Sequence, residues 1–221
     1  MALQDGAIVQ PHYIVSDKRA SLGHERAAMD AIRNEIARCL GASVAQRLLA
    51  TIETPLDDIV VAQDIKDSFV ELAERGTFGS QYPWLVAYAR SLHDTVIEIG
   101  IEAPHGRETL ICRTVGEAMA AQKAHIPAGP FADGTGAAVF SIFDFPIRAL
   151  DKHDARRIAA ERGWTSIMNR THFCHRPRRS GEPCGRCGAC VGTTNEGMGY
   201  RIPRRVRLQN WLRSISRRGV A

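Results

Sequence analysis

The chain has 221 residues, 44% of them apolar and 24% charged, an ordinary balance for a folded protein with one sizeable core. Its longest apolar runs fall far short of the ~20 residues that span a bilayer. The opening "MALQDGAIVQ" lacks the basic-then-apolar pattern of a secretory leader, so a cytoplasmic protein without membrane contact is expected.

In chain order, "GAIVQPHYIV" (6–15) predicts a strand and "SDKRASLG" the loop after it. Pro11 falls inside that strand and removes a ladder hydrogen bond, so the strand must bulge there or lack a neighbour. "HERAAMDAIRNEIARCLG" (24–41) predicts an amphipathic helix with Ala28, Ile32, Ile36 and Cys39/Leu40 on one face and Gly41 as its stop. Cys39 is therefore read as a core residue. "ATIETPLDDIVV" (50–61) is loop and short strand, and helices follow over 62–76 and 81–93, the second with Pro83 in its first turn. "DTVIEIGIEA" (94–103) reads as a buried strand and "CRTVGEAMAAQKA" (112–124) as a helix. "PAGPFADGTGAA" (127–138) is a Gly/Pro-rich loop in which "DGTG" (133–136) is a turn, and "VFSIFDFPI" (139–147) reads as a strand. "LDKHDARRIAAERG" (150–163) predicts a helix with Asp151 as N-cap, Asp154 three residues on and Gly163 as stop. Strands alternating with such helices predict an α/β fold with a mostly parallel sheet flanked by helices. Ligands bind beyond the carboxyl ends of such strands, which points to the loops 16–23, 76–81 and 101–111.

The net charge of +5 is unevenly spread. From Arg170 onward there are twelve arginines and two acids, Glu182 and Glu196, a net of +10, so residues 1–169 carry −5. The tail "RIPRRVRLQNWLRSISRRGVA" (201–221) holds seven arginines and no acid. It could meet a polyanion such as nucleic acid or phosphate. The plainer expectation is an amphipathic helix that docks Leu208, Trp211, Leu212 and Ile215 onto the core.

Four of the six cysteines, Cys174, Cys184, Cys187 and Cys190, fall in the spacing C-x9-C-x2-C-x2-C. In a reducing compartment such a cluster favours metal over disulfides. Four thiolates without a carboxylate suit tetrahedral Zn2+ in a closed, structural site. Gly185 and Gly188 follow the second and third cysteines, where a tight knuckle needs positive φ or close backbone approach. Arg176, Arg178, Arg179 and Arg186 would offset the charge of a four-thiolate centre. An iron–sulfur cluster is the rival, and His172 or His175 could replace Cys174 as a ligand.

The block "THFC…EPCGRCGAC" resembles the C-terminus of the 7-cyano-7-deazaguanine synthases, a branch of the PP-loop (adenine-nucleotide α-hydrolase) family. In "FDFPIRALDKHDARRIAAERG" Pro146, Lys152 and Asp154 fall in the family's register, and Cys112-Arg113 match a Cys-Arg pair that opens a helix. The resemblance implies a PP-loop, Rossmann-like fold and an ATP-dependent ligase acting with Mg2+. That ligase would convert 7-carboxy-7-deazaguanine and ammonia to the nitrile used in queuosine and related modifications of nucleic acid. It implies catalytic or substrate-binding roles for Arg113 and Lys152, a structural zinc and a homodimer. The expected organisation is an α/β nucleotide-binding domain over 1–165, a zinc module over 166–200 and a basic helix over 201–221.

The family's S-G-G-x-D-S phosphate loop has no counterpart here, so the N-terminal strand and loop are expected to be missing, with the true start upstream or, as the alternative, a genuine fragment or degenerate paralogue. As written, the chain is not expected to hydrolyse ATP. Ser80-Gln81 stand where the family has R-N, and "HGRETLI" replaces its Gly-Tyr-Pro segment, which leaves room for another, even macromolecular, carboxylate. The alternative reading is a zinc-dependent nucleic-acid-binding module without catalysis.

Overall fold

The computed structural model describes residues 2–93, 95–104, 108–123 and 136–218. The chain divides into two compact units, one formed by Met1–Thr54 with Arg156–Ala221 and the other by Pro55–Ala155.

In the first unit, β1 (His12–Val15) leads through α1 (Leu22–Leu40) and α2 (Ala42–Ala45) to β2 (Ile52–Pro55), which pairs with β1 in a two-stranded sheet. The parallel register is set ahead of the strands by the Val9–Leu48 bridge. Pro11 sits between that bridge and β1 and donates nothing, while its carbonyl accepts the Ile52 N–H at 2.9 Å. The proline thus interrupts the ladder without shifting it, as its missing N–H requires. α1 stops where Gly41 takes φ +84° and returns its N–H to the Ala37 carbonyl.

The apolar face expected of α1 is thin: its buried residues are Ile36 and the carboxylate Glu35. Arg38 lies 2.5 Å and Arg170 3.8 Å from the Glu35 carboxylate. Cys39 is not a core residue. It is half-buried, with Sγ 3.3 Å from Ser166 Oγ and 3.7 Å from Glu35 Oε1. A buried carboxylate must be hydrogen-bonded, and the side chains gathered to satisfy it occupy the place an apolar stripe would take.

The second unit begins with a 3-10 turn at Leu56–Asp58, followed by α3 (Gln63–Glu74), α4 (Tyr82–Ser91), α5 (Leu110–Lys123) and a 3-10 run, Gly136–Ile142. Its core centres on Phe140, fully buried, with the rings of Phe69, Phe78 and Tyr82 at centroid distances of 5.8, 6.3 and 5.8 Å. Ile65, Leu72, Val86, Val115 and Phe143 complete it.

Two expected strands are not strands. The 3-10 run takes 139–142, and in 143–147 only Asp144 pairs, through a parallel bridge to Glu98. The bridge consists of Asp144 N–H to the Ile97 carbonyl at 2.8 Å and Ile99 N–H to the Asp144 carbonyl at 3.0 Å. In the described residues 95–103 that bridge is the only strand pairing, and Val96 is 73% exposed. A short apolar run fits a buried helical turn as well as a strand. Here the backbone finds its partners locally, as in the Phe143 N–H to Phe140 carbonyl bond of 3.1 Å. The fold is therefore mixed α/β, but with a smaller sheet than the sequence implies. Most of the loop expected over 127–138 lies outside the described residues.

α6 (Lys152–Glu161) opens as expected: Asp151 Oδ1 accepts the backbone N–H groups of His153 and Asp154 at 2.8 Å each, and Asp154 reaches back to the Asp151 N–H at 3.3 Å. It closes with Gly163 N–H on the Ala160 carbonyl and Trp164 N–H on the Ala159 carbonyl, at 3.2 and 2.7 Å. After α7 (Thr165–Met168) come α8 (Gly188–Thr193), a 3-10 turn at Gly199–Arg201 and α9 (Arg204–Arg218). Among the described residues no helix is long and apolar enough to cross a membrane.

Candidate metal centre

Cys174 lies in the extended chain beyond α7, Cys184 and Cys187 flank the turn before α8, and Cys190 sits inside α8. Their sulfurs all lie within 4.8 Å of one another, close enough to hold a metal ion. The pairs Cys174–Cys187 and Cys184–Cys190 are each 3.9 Å apart. Metal–sulfur bonds of about 2.3 Å in a tetrahedron set sulfurs about 3.8 Å apart, so the donor set is compatible with zinc. An iron–sulfur cluster interposes its own iron and sulfide between the cysteines and would hold their sulfurs farther apart.

Backbone dipoles converge on the sulfurs. The Cys184 N–H points at Cys174 Sγ (3.2 Å), and those of Arg186 and Cys187 at Cys184 Sγ (3.4 and 3.3 Å). Burial pushes the Cys174 and Cys190 thiols up. At Cys187 burial also acts upward, but hydrogen bonds from the N–H groups of Cys190 and His175 and from the Cys190 and Cys184 side chains together bring the thiol down. A cation is what would let all four ionise together, because it rewards the thiolate form that burial penalises.

The centre is also a core. Cys174, Cys184 and Cys190 are buried with Ile202 and Val206 in one cluster, and Phe173 and Cys187 pack against it. α9 approaches so closely that a Cβ on Gly185, which has φ +71°, would lie 2.5 Å from Asn210 Nδ2 and 3.1 Å from Val206 Cγ1. Asn210 Nδ2 donates to the Cys184 carbonyl at 3.1 Å. The need for glycine holds at 185 only: Gly188 has no positive φ, and nothing lies within 4 Å of where its Cβ would be.

The face of α9 that meets the centre is not the expected one. Val206 and Asn210 make the contact, whereas Leu208, Trp211, Leu212 and Ile215 are 56, 58, 51 and 48% exposed. The helix has one apolar stripe, at 208, 211, 212 and 215, and the close approach at Gly185 is met instead by Val206 and Asn210 on the other side.

Neither histidine belongs to the cysteine group. His172 Nε2 is 2.7 Å from the Cys174 carbonyl and its ring stacks on His24 at 6.0 Å, while His175 is exposed. Arg178 binds Gln209 (2.9 Å), Arg205 pairs with Glu182, and Arg176, Arg179 and Arg186 are exposed. Arg201 caps the Thr171 carbonyl at 2.6 Å and lies 4.8 Å over the Phe173 ring, fastening the chain that enters the centre.

The other two sequence candidates lie in the second unit. Lys152, in the first turn of α6, holds Glu102 with Nζ 2.6 Å from Oε1. Arg113 is exposed on α5, beside buried Cys112. Cys112 Sγ is 3.6 Å from the Glu102 carbonyl, and Arg148 donates to the Cys112 carbonyl at 2.8 Å. Glu102, Cys112, Arg148 and Lys152 thus form one polar cluster. Glu102 and Arg148 escaped the sequence reading because single charges in no motif carry no spacing signal. Compared with protein-family models, with curated proteins and with solved structures, the chain matches none of them.

Proposed function

We propose that the four-cysteine centre binds one Zn2+ as a structural clamp, and that the chain it stabilises is an ATP-dependent ligase akin to the 7-cyano-7-deazaguanine synthases. The observation that carries the zinc reading is the sulfur tetrad within 4.8 Å. When bound, zinc would neutralise thiolates that form the buried cluster of this region, and four protein ligands leave no position open to a substrate. Its role is then to hold α9 and the "HRPRRSGEP" loop in place.

The ligase reading draws on the "EPCGRCGAC" block and on the cluster around Cys112. An adenylation and amidation of a carboxylate needs cations where negative charge develops. Arg113 offers an exposed guanidinium, and Lys152 an ammonium already engaged by a carboxylate, Glu102. A PP-loop fold and Mg2+-ATP belong to the same proposal. These 221 residues carry no S-G-G-x-D-S loop, so substrate binding is the readout rather than turnover. Calorimetry with 7-carboxy-7-deazaguanine should show binding that Arg113→Ala and Lys152→Ala each weaken about tenfold, the worth of a charge-assisted hydrogen bond. Absence of binding refutes the ligase and leaves the zinc centre standing. Elemental analysis should return one zinc per chain. The nucleic-acid alternative draws on the same arginines but has little to stack bases on: the knuckle 174–190 holds no Phe, Tyr or Trp, and α9 only Trp211.

A further inference from the structure

We infer that α9 docks peripherally on an anionic lipid surface. Its inner face is occupied by the metal centre, through buried Val206 and through Asn210 on the Cys184 carbonyl. Its outer face carries Leu208 and Ile215, 56 and 48% exposed, with Trp211 and Leu212 on the same side at 58 and 51%. Positions 208, 211, 212 and 215 follow i, i+3, i+4 and i+7, so they form one stripe along the helix. Exposed Arg204 and Arg207 border it, and the whole helix contains six arginines and no acid. The nearby Glu182 is already held by Arg205.

Charge and chemistry select the occupant. Pairing this face with the same face of a second copy would bring two helices of six arginines together with no acid between them. A nucleic acid would satisfy the arginines but leave the aliphatic stripe against phosphate and water. An anionic bilayer serves both: arginines meet headgroup phosphates while Leu208 and Ile215 enter the acyl boundary and Trp211 sits at headgroup depth. A low mean hydropathy with a cationic border and an apolar ridge is the pattern of a helix that lies in the interface rather than one that crosses it. This departs from the sequence expectation of no membrane contact, which rested on the lack of a spanning segment; α9 would dock without spanning.

The test is co-sedimentation of the zinc-loaded full chain with vesicles of phosphatidylcholine alone and of phosphatidylcholine mixed with phosphatidylglycerol. Binding should occur only to the mixed vesicles and fall with added salt. Leu208→Asp and Ile215→Asp should each weaken it about tenfold, and Arg204→Gln or Arg207→Gln about fivefold. As a measurement that needs no variant in the stripe, the Trp211 emission of a Trp84→Phe/Trp164→Phe chain should shift to the blue with mixed vesicles and not with neutral ones. Failure to bind mixed vesicles, an unmoved Trp211 emission, binding unchanged by Leu208→Asp, or preference for an oligonucleotide duplex over the vesicles would each overturn the inference.

Discussion

Gly185→Ala isolates the contact that fastens α9 to the cysteine tetrad. The residue holds φ +71°, which costs an L side chain roughly 1–2 kcal/mol. The new methyl would meet Asn210 Nδ2 at 2.5 Å, so that side chain must swing away and release the Cys184 carbonyl, a further cost of about 1 kcal/mol. Val206, 3.1 Å from the same position, must also give by a few tenths of an ångström. The sum is about 2–3 kcal/mol, or a midpoint lowered by about 4–12 °C for a chain of this size. Thermal melts followed by circular dichroism, at fixed protein concentration and excess zinc, read it directly. Gly188→Ala is the internal control, because its Cβ would enter open space at ordinary φ; at the first residue of α8 it should be neutral or slightly stabilising, by under about 1 kcal/mol. A Gly185→Ala melt indistinguishable from wild type, or equal damage from both variants, would refute the close packing of α9 on the knuckle.

Other outcomes follow from the same geometry. Cys187→Ala should release the metal and leave mostly insoluble protein, because the buried cluster of this region is built largely from the ligands themselves; a soluble, fully folded variant with no bound metal would contradict that. Asp151→Ala removes the acceptor of two backbone N–H groups at 2.8 Å and should cost about 1 kcal/mol in urea unfolding. The Arg38 hydrogen bond, followed by that of Ser166, holds the Glu35 carboxyl down to about 2 against an ordinary 4.5. Its ionised form therefore stabilises the native state; the contribution is complete above about pH 4.5 and disappears as pH falls toward 2. Glu35→Gln should flatten the loss of stability over that acid range, and an unchanged pH profile would count against the pairing.

Local signals in the sequence were strong enough to place several elements. The Asp151/Asp154 box and the stops at Gly41 and Gly163 satisfy backbone groups within a few residues, and Pro83 in the first turn of α4 removes an N–H that would have had no partner in the helix, so these signals act without help from distant contacts. The cysteine tetrad was legible for the same reason: three of its members lie within seven residues, so a short turn brings their sulfurs within reach of one ion. What stayed illegible depended on neighbours far away in the chain. Apolar runs at 94–103 and 139–147 are consistent with strands, yet whether such a run joins a sheet depends on a partner strand arriving beside it, and here little more than Asp144 finds one. Cys39 reads as core until Ser166, more than a hundred residues on, is set against it.

By itself, then, the sequence determined where several helices begin or end and which four sulfurs gather closely enough to hold a metal ion, since those outcomes are decided by hydrogen bonds and ligand spacings a few residues long. Only the tertiary structure decided the size of the sheet, the grouping of Glu102 and Arg148 with Cys112 and Lys152, and which side of α9 is buried. A helix periodicity marks apolar positions without saying which of them will be covered; a glycine with no room for a methyl group, 25 residues before Asn210, made that choice.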